Sequence, residues 1–319
     1  MESKDSPFVL RDAAPLAPEK FSDPARTAKG EKRASVELRS LETLWFNTGT
    51  LCNLACKSCY IESSPRNDAL VYITLKEVKS YLDEIAAEGL PTREIAFTGG
   101  EPFMNPDIID ILQLCLDRGF EVLVLSNAMQ PMRRFEQRLL GLAPRDRLSI
   151  RVSLDHHTQA VHEAERGASW DKAIDGLRWL ASHKFPIALA GRHFADEDEA
   201  SARAGYARLI EQIGLPINAN DPSQLVLFPE MDAEADIAEI STGCWDILGV
   251  DPQSMMCATS RMVVKRKGEE TPRVAACTLL PYQADFDLGA SLTEASRSVA
   301  LNSPHCARFC VLGGASCTA

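Results

Sequence analysis

The apolar and polar positions between about residues 42 and 230 alternate in a way that predicts strands followed by helices. Short, mainly apolar runs of four to seven residues are separated by longer segments in which apolar residues recur every three or four positions. The predicted strands are 44–47, 93–98, 120–125, 148–154, 186–190 and 225–228. The predicted helices are 74–87, with Thr74 as N-cap, 106–118, 134–142, 169–182 and 198–213.

Repeats of strand and helix imply an α/β fold with parallel strands and right-handed crossovers. Either a closed or partial barrel, or a doubly wound sheet, satisfies this pattern. Residues 1–40 mix proline, alanine and alternating charges without an apolar period, which predicts an N-terminal arm or a disordered tail. The alternation is expected to occupy residues 41–235. Cysteines then become frequent, so residues 236–319 are predicted to form a small additional domain.

The composition narrows the class of protein. A chain of 319 residues with 45% hydrophobic residues is long enough for a full core. No apolar run approaches the roughly 18 residues of a membrane span, and Arg11 and Asp12 interrupt the apolar start that a signal peptide would need. We therefore expect a cytoplasmic protein without a membrane partner. The net charge of −11 argues against nucleic acid as the main partner.

Three closely spaced cysteines, Cys52, Cys56 and Cys59, are the most informative motif. Thiolates select iron–sulfur clusters or zinc over hard cations. A structural metal site is normally closed by four protein ligands, so a tight triple indicates a metal with one position left open. A zinc site with a distant fourth ligand, and thiols that simply pack in the core, remain alternatives.

A second motif, Gly99-Gly-Glu-Pro102, follows the strand predicted at 93–98. Together the two motifs resemble those of the radical S-adenosylmethionine (SAM) enzymes. In that family three cysteines hold a 4Fe–4S cluster, SAM chelates the fourth iron, and one electron generates a 5′-deoxyadenosyl radical that takes hydrogen from a substrate. The resemblance implies a partial (β/α)6 TIM-like barrel.

The resemblance also implies roles for residues at the ends of the predicted strands. Ser58 departs from the family, which usually has an aromatic residue there that contacts adenine; Tyr60 is expected either to replace it or to pack under the loop. The cluster ligands would be Cys52, Cys56 and Cys59. Gly99, Gly100, Glu101 and Pro102 would line the SAM methionine moiety. Asn127 and Ser153 are candidates for contacts to the SAM ribose or carboxylate, and Arg192 is a candidate for contact to the SAM carboxylate.

Three of the six histidines lie close together after the strand predicted at 148–154, in a stretch that resembles the SPASM-type branch of the family. His156 and His157 are the candidate catalytic residues, as proton donors or acceptors that face the substrate. A second metal at these histidines and His162 is the alternative, although the spacing does not require it.

The late cysteines resemble the auxiliary-cluster domain of SPASM or twitch proteins, with a longer interval from Gly268 to Cys277 and an abbreviated final group. The number of thiols suffices for one auxiliary 4Fe–4S cluster. A structural zinc site is the alternative. Cys244 and Cys115 are expected to be core thiols. The expected ligands are Cys257, Cys277, Cys306 and Cys310, with Cys317 as the alternate.

These observations predict a radical SAM enzyme that acts on a small molecule, with an auxiliary cluster assisting. Two alternatives remain: a maturase that forms a thioether or carbon–carbon crosslink in a separately delivered ribosomal peptide, and a non-catalytic iron–sulfur electron carrier. The predicted cofactors are SAM, its 4Fe–4S cluster and the auxiliary cluster. A reducing partner such as flavodoxin or ferredoxin is expected.

Overall fold

Six parallel strands form the main sheet in the order in which they occur along the chain. The computed structural model describes residues 14–193, 197–229, 232 and 234–314. The six strands are β2 (Thr43–Asn47), β3 (Glu94–Thr98), β4 (Glu121–Ser126), β5 (Leu148–Ser153), β6 (Ile187–Arg192) and β7 (Leu225–Phe228). Each pairs in parallel with the next, and β7 lies at one edge of the sheet, so the barrel stays open. The predicted partial (β/α)6 barrel is confirmed.

Helices lie between these strands. They are α1 (Leu75–Glu88), α2 (Ile108–Asp117), α3 (Gln130–Arg133), α4 (Glu136–Leu140), α5 (Gln159–Arg166), α6 (Trp170–Ser182) and α7 (Glu199–Ile213). One further helix, α8 (Cys244–Leu248), follows β7. Thr74 caps α1 as predicted: the Glu77 main-chain N–H donates to its hydroxyl, and the Thr74 N–H donates to the Glu77 carboxylate. The helix predicted at 134–142 is divided into α3 and α4, and α5 was missed.

The sheet continues beyond the region where the sequence pattern stops. Strand β8 (Ser260–Val264) pairs in parallel with β2, on the side away from β3, and β9 (Arg273–Ala275) pairs antiparallel with β8. All five residues of β8 are buried. The C-terminal part therefore supplies a neighbour to the first barrel strand, in addition to the cysteine-rich region predicted there.

The described part of the predicted N-terminal arm, residues 14–40, packs against the end of the chain. Strand β1 (Ser35–Val36) pairs with β10 (Val299–Ala300). The Arg33 guanidinium lies 2.6 Å from the Glu239 carboxylate in a buried ion pair. The irregular sequence pattern did not predict that this segment packs in a fixed structure. The partners of Arg33 and of β1 lie about 200 positions or more farther along the chain.

The strand register determines which side chains face the barrel interior. Phe46 stacks on Phe97 with ring centroids 5.7 Å apart and meets Tyr81 of α1 edge-on, so these strand residues face the helix layer. Because strand side chains alternate, Thr98 points to the other face, into the barrel. Ser153 and Arg192 share that inner face at the carboxyl ends of their strands, where barrel enzymes place their sites. Among the described residues, no helix combines the length and the apolar character that crossing a bilayer requires.

Candidate active site

A pocket opens at the carboxyl ends of the barrel strands and encloses about 930 Å³, part of it open to solvent. The structure brings most of the predicted cofactor residues together there. The predicted residues in its wall are Cys52, Cys56, Cys59, Tyr60, Gly99, Gly100, Asn127, Ser153 and Arg192. Residues without a predicted role in its wall are Ser63, Thr98, Leu125, Ser126, Asp155, Arg166, Ala190 and Phe228.

The three thiols belong to the loop between β2 and α1. Main-chain N–H groups donate to two of the sulfur atoms: Leu54 to Cys52 at 3.4 Å, and Ser63 to Cys59 at 3.3 Å. Burial raises the pKa of Cys52 to about 12 and also raises that of Cys56. A thiol in such a place ionises when a metal binds it. Three soft sulfur donors in one wall, two of them already accepting hydrogen bonds, fit an iron–sulfur cluster.

The Gly99–Gly100 turn lies directly against the cysteine loop. The Gly100 main-chain N–H donates to the Gly49 carbonyl at 2.8 Å. A Cβ at Gly100 would lie 2.2 Å from the Leu51 carbonyl oxygen, and Gly99 has φ of 141°. Glycine at both positions is therefore required for the close approach of the two predicted motifs.

Glu101 and Pro102 do not line the pocket, contrary to the prediction from the resemblance. The Glu101 side chain is buried behind the wall, where its carboxylate accepts hydrogen bonds from the Asn127 N–H (2.8 Å), the Ser126 hydroxyl (2.9 Å) and the Phe103 N–H (3.2 Å). Burial raises its pKa to about 7, against the lowering effect of these bonds. Glu101 thereby fixes the end of β4, which carries Asn127 into the pocket.

Glu101→Gln is expected to lower the free energy of unfolding by about 1–3 kcal/mol, because an amide nitrogen cannot accept the hydrogen bonds that one carboxylate oxygen accepts. Urea unfolding at pH 6 measures the change, because the raised pKa of Glu101 keeps its carboxyl protonated in the folded protein there, and the cost of burying its charge does not oppose the effect. Glu121→Gln removes an exposed carboxylate 3.6 Å from Arg147 and is the matched control, with an expected change below about 0.5 kcal/mol. Equal stabilities for the two variants would contradict this role of Glu101.

Asp155 and Arg166 form a charged pair in the pocket wall. The Arg166 Nε donates to the Asp155 carboxylate at 2.7 Å, and the Arg192 Nε lies 3.8 Å from the other carboxylate oxygen. Burial raises the pKa of Asp155, but the charges of Arg166 and Arg192 outweigh burial, so the net pKa is lowered. With two guanidinium groups and one carboxylate, this part of the wall has a positive charge to offer an anionic ligand.

Helix α5 holds the cysteine loop through its last turn. The Lys57 N–H donates to the Glu165 carbonyl at 3.2 Å, and the Ser58 N–H donates to the Glu165 carboxylate. The Arg192 Nη2 reaches the Ser58 carbonyl at 3.4 Å. The Ser58 hydroxyl is buried and has no hydrogen-bond partner within the described residues, whereas Tyr60 lines the pocket. Ser58, which stands where the family usually has an aromatic residue, therefore has a hydroxyl donor without a hydrogen-bond partner among the described residues.

The predicted catalytic histidines, His156 and His157, are not in the pocket wall. Their rings lie 3.9 Å apart, and the two imidazoles group with Glu197, with candidate ligand atoms within 4.8 Å of one another. The His156 Nδ1 accepts from the Thr158 N–H at 3.0 Å, which leaves the proton of a neutral ring on Nε2, 3.5 Å from the Glu197 carboxylate. His162 is fully buried, and burial lowers its pKa to about 4, so it is a neutral core residue. The histidines thus lie outside the wall of this pocket, and their catalytic role stays a prediction.

A sequence profile of the Radical SAM superfamily matches residues 46–203, from β2 into α7. This range contains both motifs and every side chain of the pocket wall except Phe228. The chain belongs to the radical SAM superfamily.

The radical SAM chain resembles characterised proteins over part of its length. It is 31% identical over 141 residues to AlbA, the antilisterial bacteriocin subtilosin biosynthesis protein of Bacillus subtilis. That match covers 44% of this chain and 30% of AlbA. It is 29% identical over 140 residues to the AdoMet-dependent heme synthase of Methanosarcina barkeri. That match covers 43% of this chain and 38% of the synthase. The matches span well under half of these relatives.

Among solved structures, SuiB of Streptococcus suis bound to S-adenosylmethionine matches the radical SAM chain with a TM-score of 0.58 at 11% identity. The match covers 79% of this chain and 64% of SuiB. At this identity the likeness shows a shared fold, and it agrees with the open barrel described above. The family and the fold predicted from the two motifs are therefore confirmed.

Four late cysteines line a second, mainly apolar pocket. They are Cys257, Cys277, Cys306 and Cys310. Burial raises the pKa of Cys257 to about 11 and that of Cys306 well above its ordinary value. Four thiols in one pocket wall are the donor set of one tetrathiolate metal centre. Cys244 is partly exposed and lies outside this pocket, and Cys317 lies outside the described residues.

Sequence reasoning missed three residues of the first site: Asp155, Glu165 and Arg166. All three depend on α5, whose eight residues contain few apolar positions and therefore give a weak helical signal. The sequence signal for this pair is an acid, Asp155, directly after a strand, with Arg166 eleven positions later. It was obscured by the neighbouring histidines.

Proposed function

We propose that this chain is an enzyme that holds a 4Fe–4S cluster on Cys52, Cys56 and Cys59, binds SAM in the same pocket, and abstracts a hydrogen atom from a small molecule. The convergence of the three thiols, the double-glycine turn and two arginines on one pocket supports this function. The function proposed for the whole chain goes beyond the matched region of its relatives.

The residues of the wall match the chemical parts of the proposed cofactors. When bound, the cluster and SAM supply a one-electron cleavage of a sulfur–carbon bond that yields a 5′-deoxyadenosyl radical. Arg166 and Arg192 are placed to bind the SAM carboxylate, since guanidinium groups prefer that partner. Gly99 and Gly100 admit the methionine moiety close to the main chain. Asn127 and Ser153 are placed in the wall for hydrogen bonds to the SAM ribose or carboxylate, and the Ser58 hydroxyl is a further donor in the cluster loop.

The inner wall also protects a reactive intermediate from water. Leu125, Ala190 and Phe228 supply apolar side chains to the pocket wall. Exclusion of water limits side reactions of a radical. The chain's contribution is thus to orient the reactants and to enclose them, while the cofactors supply the chemistry.

A small-molecule substrate is the first candidate, and one of the relatives supports it. The heme synthase among the relatives is named for a small-molecule product. A peptide maturase is the second candidate, favoured by the likeness to AlbA, which is named for bacteriocin biosynthesis. A precursor peptide that binds the enzyme and changes mass on turnover would decide for the second candidate.

We further infer that the four late cysteines hold one auxiliary 4Fe–4S cluster that assists by accepting an electron from the product radical or by binding the substrate. Contact between the two parts supports their cooperation: the Tyr282 hydroxyl donates to the Ile61 carbonyl at 3.0 Å, two residues after Cys59. A one-electron donor such as flavodoxin or ferredoxin would complete the system.

Anaerobic assay of the purified protein tests this function. With a chemical reductant and SAM, we expect 5′-deoxyadenosine to form, and metal analysis to find about eight iron atoms and no zinc per chain. About four iron atoms and one zinc would end the auxiliary-cluster proposal and leave the first cluster standing. Bound iron with no 5′-deoxyadenosine would instead favour a non-catalytic electron carrier.

A further inference from the structure

Arg261 is a buried cation beside the pocket of the four late cysteines. It belongs to β8, and the whole residue is 1% exposed. Within the described residues, the hydrogen bonds of its guanidinium all go to main-chain carbonyl oxygens. These are Ala295 (2.9 Å, from Nε), Cys257 (2.6 Å) and Ser260 (2.8 Å, both from Nη1), and Arg297 (3.0 Å, from Nη2).

Two other arginines with largely buried side chains have an acid beside them. Arg33 pairs with Glu239 at 2.6 Å, and Arg166 pairs with Asp155 at 2.7 Å. Over the residues that the structure describes, no carboxylate lies within ion-pair distance of Arg261, whose contacts are the four carbonyls. Burial of a charge costs much free energy unless an opposite charge accompanies it. The structure therefore lacks a countercharge for Arg261 among its acids.

The groups nearest to Arg261 that acquire negative charge are thiols. Cys257, whose carbonyl accepts from Nη1, lies in the wall of the second pocket, and the charge of Arg261 acts on both Cys257 and Cys277. Four thiolates around a 4Fe–4S core, or around zinc, leave a net negative charge at the centre. A single buried guanidinium at its edge offsets part of that charge.

We propose that Arg261 is the countercharge of the metal centre held by Cys257, Cys277, Cys306 and Cys310, and that it makes this centre easier to reduce. The inference rests on the auxiliary cluster proposed above. Reduction adds one negative charge to the centre, so a fixed cation stabilises the reduced form more than the oxidised form. The effect is strong because the guanidinium is screened little in a buried site.

The test isolates the second centre. In full-length chain with Cys52, Cys56 and Cys59 replaced by alanine, any remaining iron belongs to the late cysteines, and an EPR-monitored redox titration gives its midpoint potential. In this background Arg261→Gln is expected to lower the equilibrium constant for reduction at least tenfold, about 59 mV for one electron. Arg261→Lys, which keeps the charge, is expected to change it less than threefold. Arg273→Gln, at a partly exposed arginine paired with Asp287, is the control.

Each result has a defined meaning. Equal potentials for the background and the Arg261→Gln variant would overturn the inference. If Arg261→Gln loses the cluster, iron retention by Arg261→Lys supports a charge effect, whereas equal loss in both variants assigns Arg261 a packing role and overturns it. If the background chain binds no iron, the auxiliary cluster and this inference both fail. Production of 5′-deoxyadenosine by the unmodified chain would still uphold the first site.

Discussion

Cys56→Ala is expected to abolish 5′-deoxyadenosine production and to remove about four iron atoms per chain. Cys56 is one of three sulfur donors in the pocket wall, and loss of one leaves two protein ligands for a cluster that needs three. The loss of activity is expected to exceed the roughly 10–100-fold that follows removal of groups outside the ligand shell. Anaerobic chromatography of the product and iron analysis measure the two effects.

The matched control is Cys244→Ser, which removes a thiol that lies outside both cysteine pockets. It is expected to retain both iron and activity. Full 5′-deoxyadenosine production by the Cys56→Ala variant would show that the cleavage chemistry does not depend on this cysteine, and the proposed function would fall with it.

Arg166→Met is expected to weaken SAM binding at least about a hundredfold and to lower the free energy of unfolding by about 3–5 kcal/mol. Both effects follow from the loss of the Arg166 guanidinium. The variant leaves the buried Asp155 carboxylate with Arg192 at 3.8 Å as its remaining cation, and it removes a guanidinium from the pocket wall. Equilibrium dialysis with SAM and urea unfolding measure the two quantities.

An exposed pair provides the comparison for Arg166. Arg138 contacts Asp110 at 2.6 Å, but about half of each side chain is exposed, so Arg138→Met is expected to cost less than about 1 kcal/mol. SAM binding by that variant should not change. Unaltered SAM affinity in an Arg166→Met variant that folds would show that the charged pair only supports the wall.

The sequence predicted those parts of the site that consist of local motifs. Three cysteines within eight residues, and two glycines after a strand, carry their chemistry in their spacing. The barrel was predictable for the same reason, because the periods of strands and helices are local properties. Even the cap at Thr74 follows from a residue and its neighbour three positions later.

The parts that sequence missed depend on distant contacts. Glu101 belongs to a recognised motif, yet its carboxylate accepts from Asn127, twenty-six positions away, and faces away from the pocket. The role of Glu165 arises because the last turn of α5 meets the main chain of Ser58. His156 and His157 follow a barrel strand, but His156 accepts a hydrogen bond from the Thr158 N–H, its ring contacts that of His157, and neither ring is in the pocket wall. Such pairings are set by packing, which a single sequence does not display.

The pairing of β8 with β2 has a consequence for the time course of synthesis. During translation, β2 and the cysteine loop that follows it emerge early, but the strand that covers the free edge of β2 is formed by residues 260–264. Until those residues leave the ribosome, β2 presents an unpaired edge that invites association with other chains. Insertion of a cluster into the loop on a nascent chain would therefore act on an unfinished sheet. Maturation of the first site is expected to follow, rather than accompany, completion of the polypeptide.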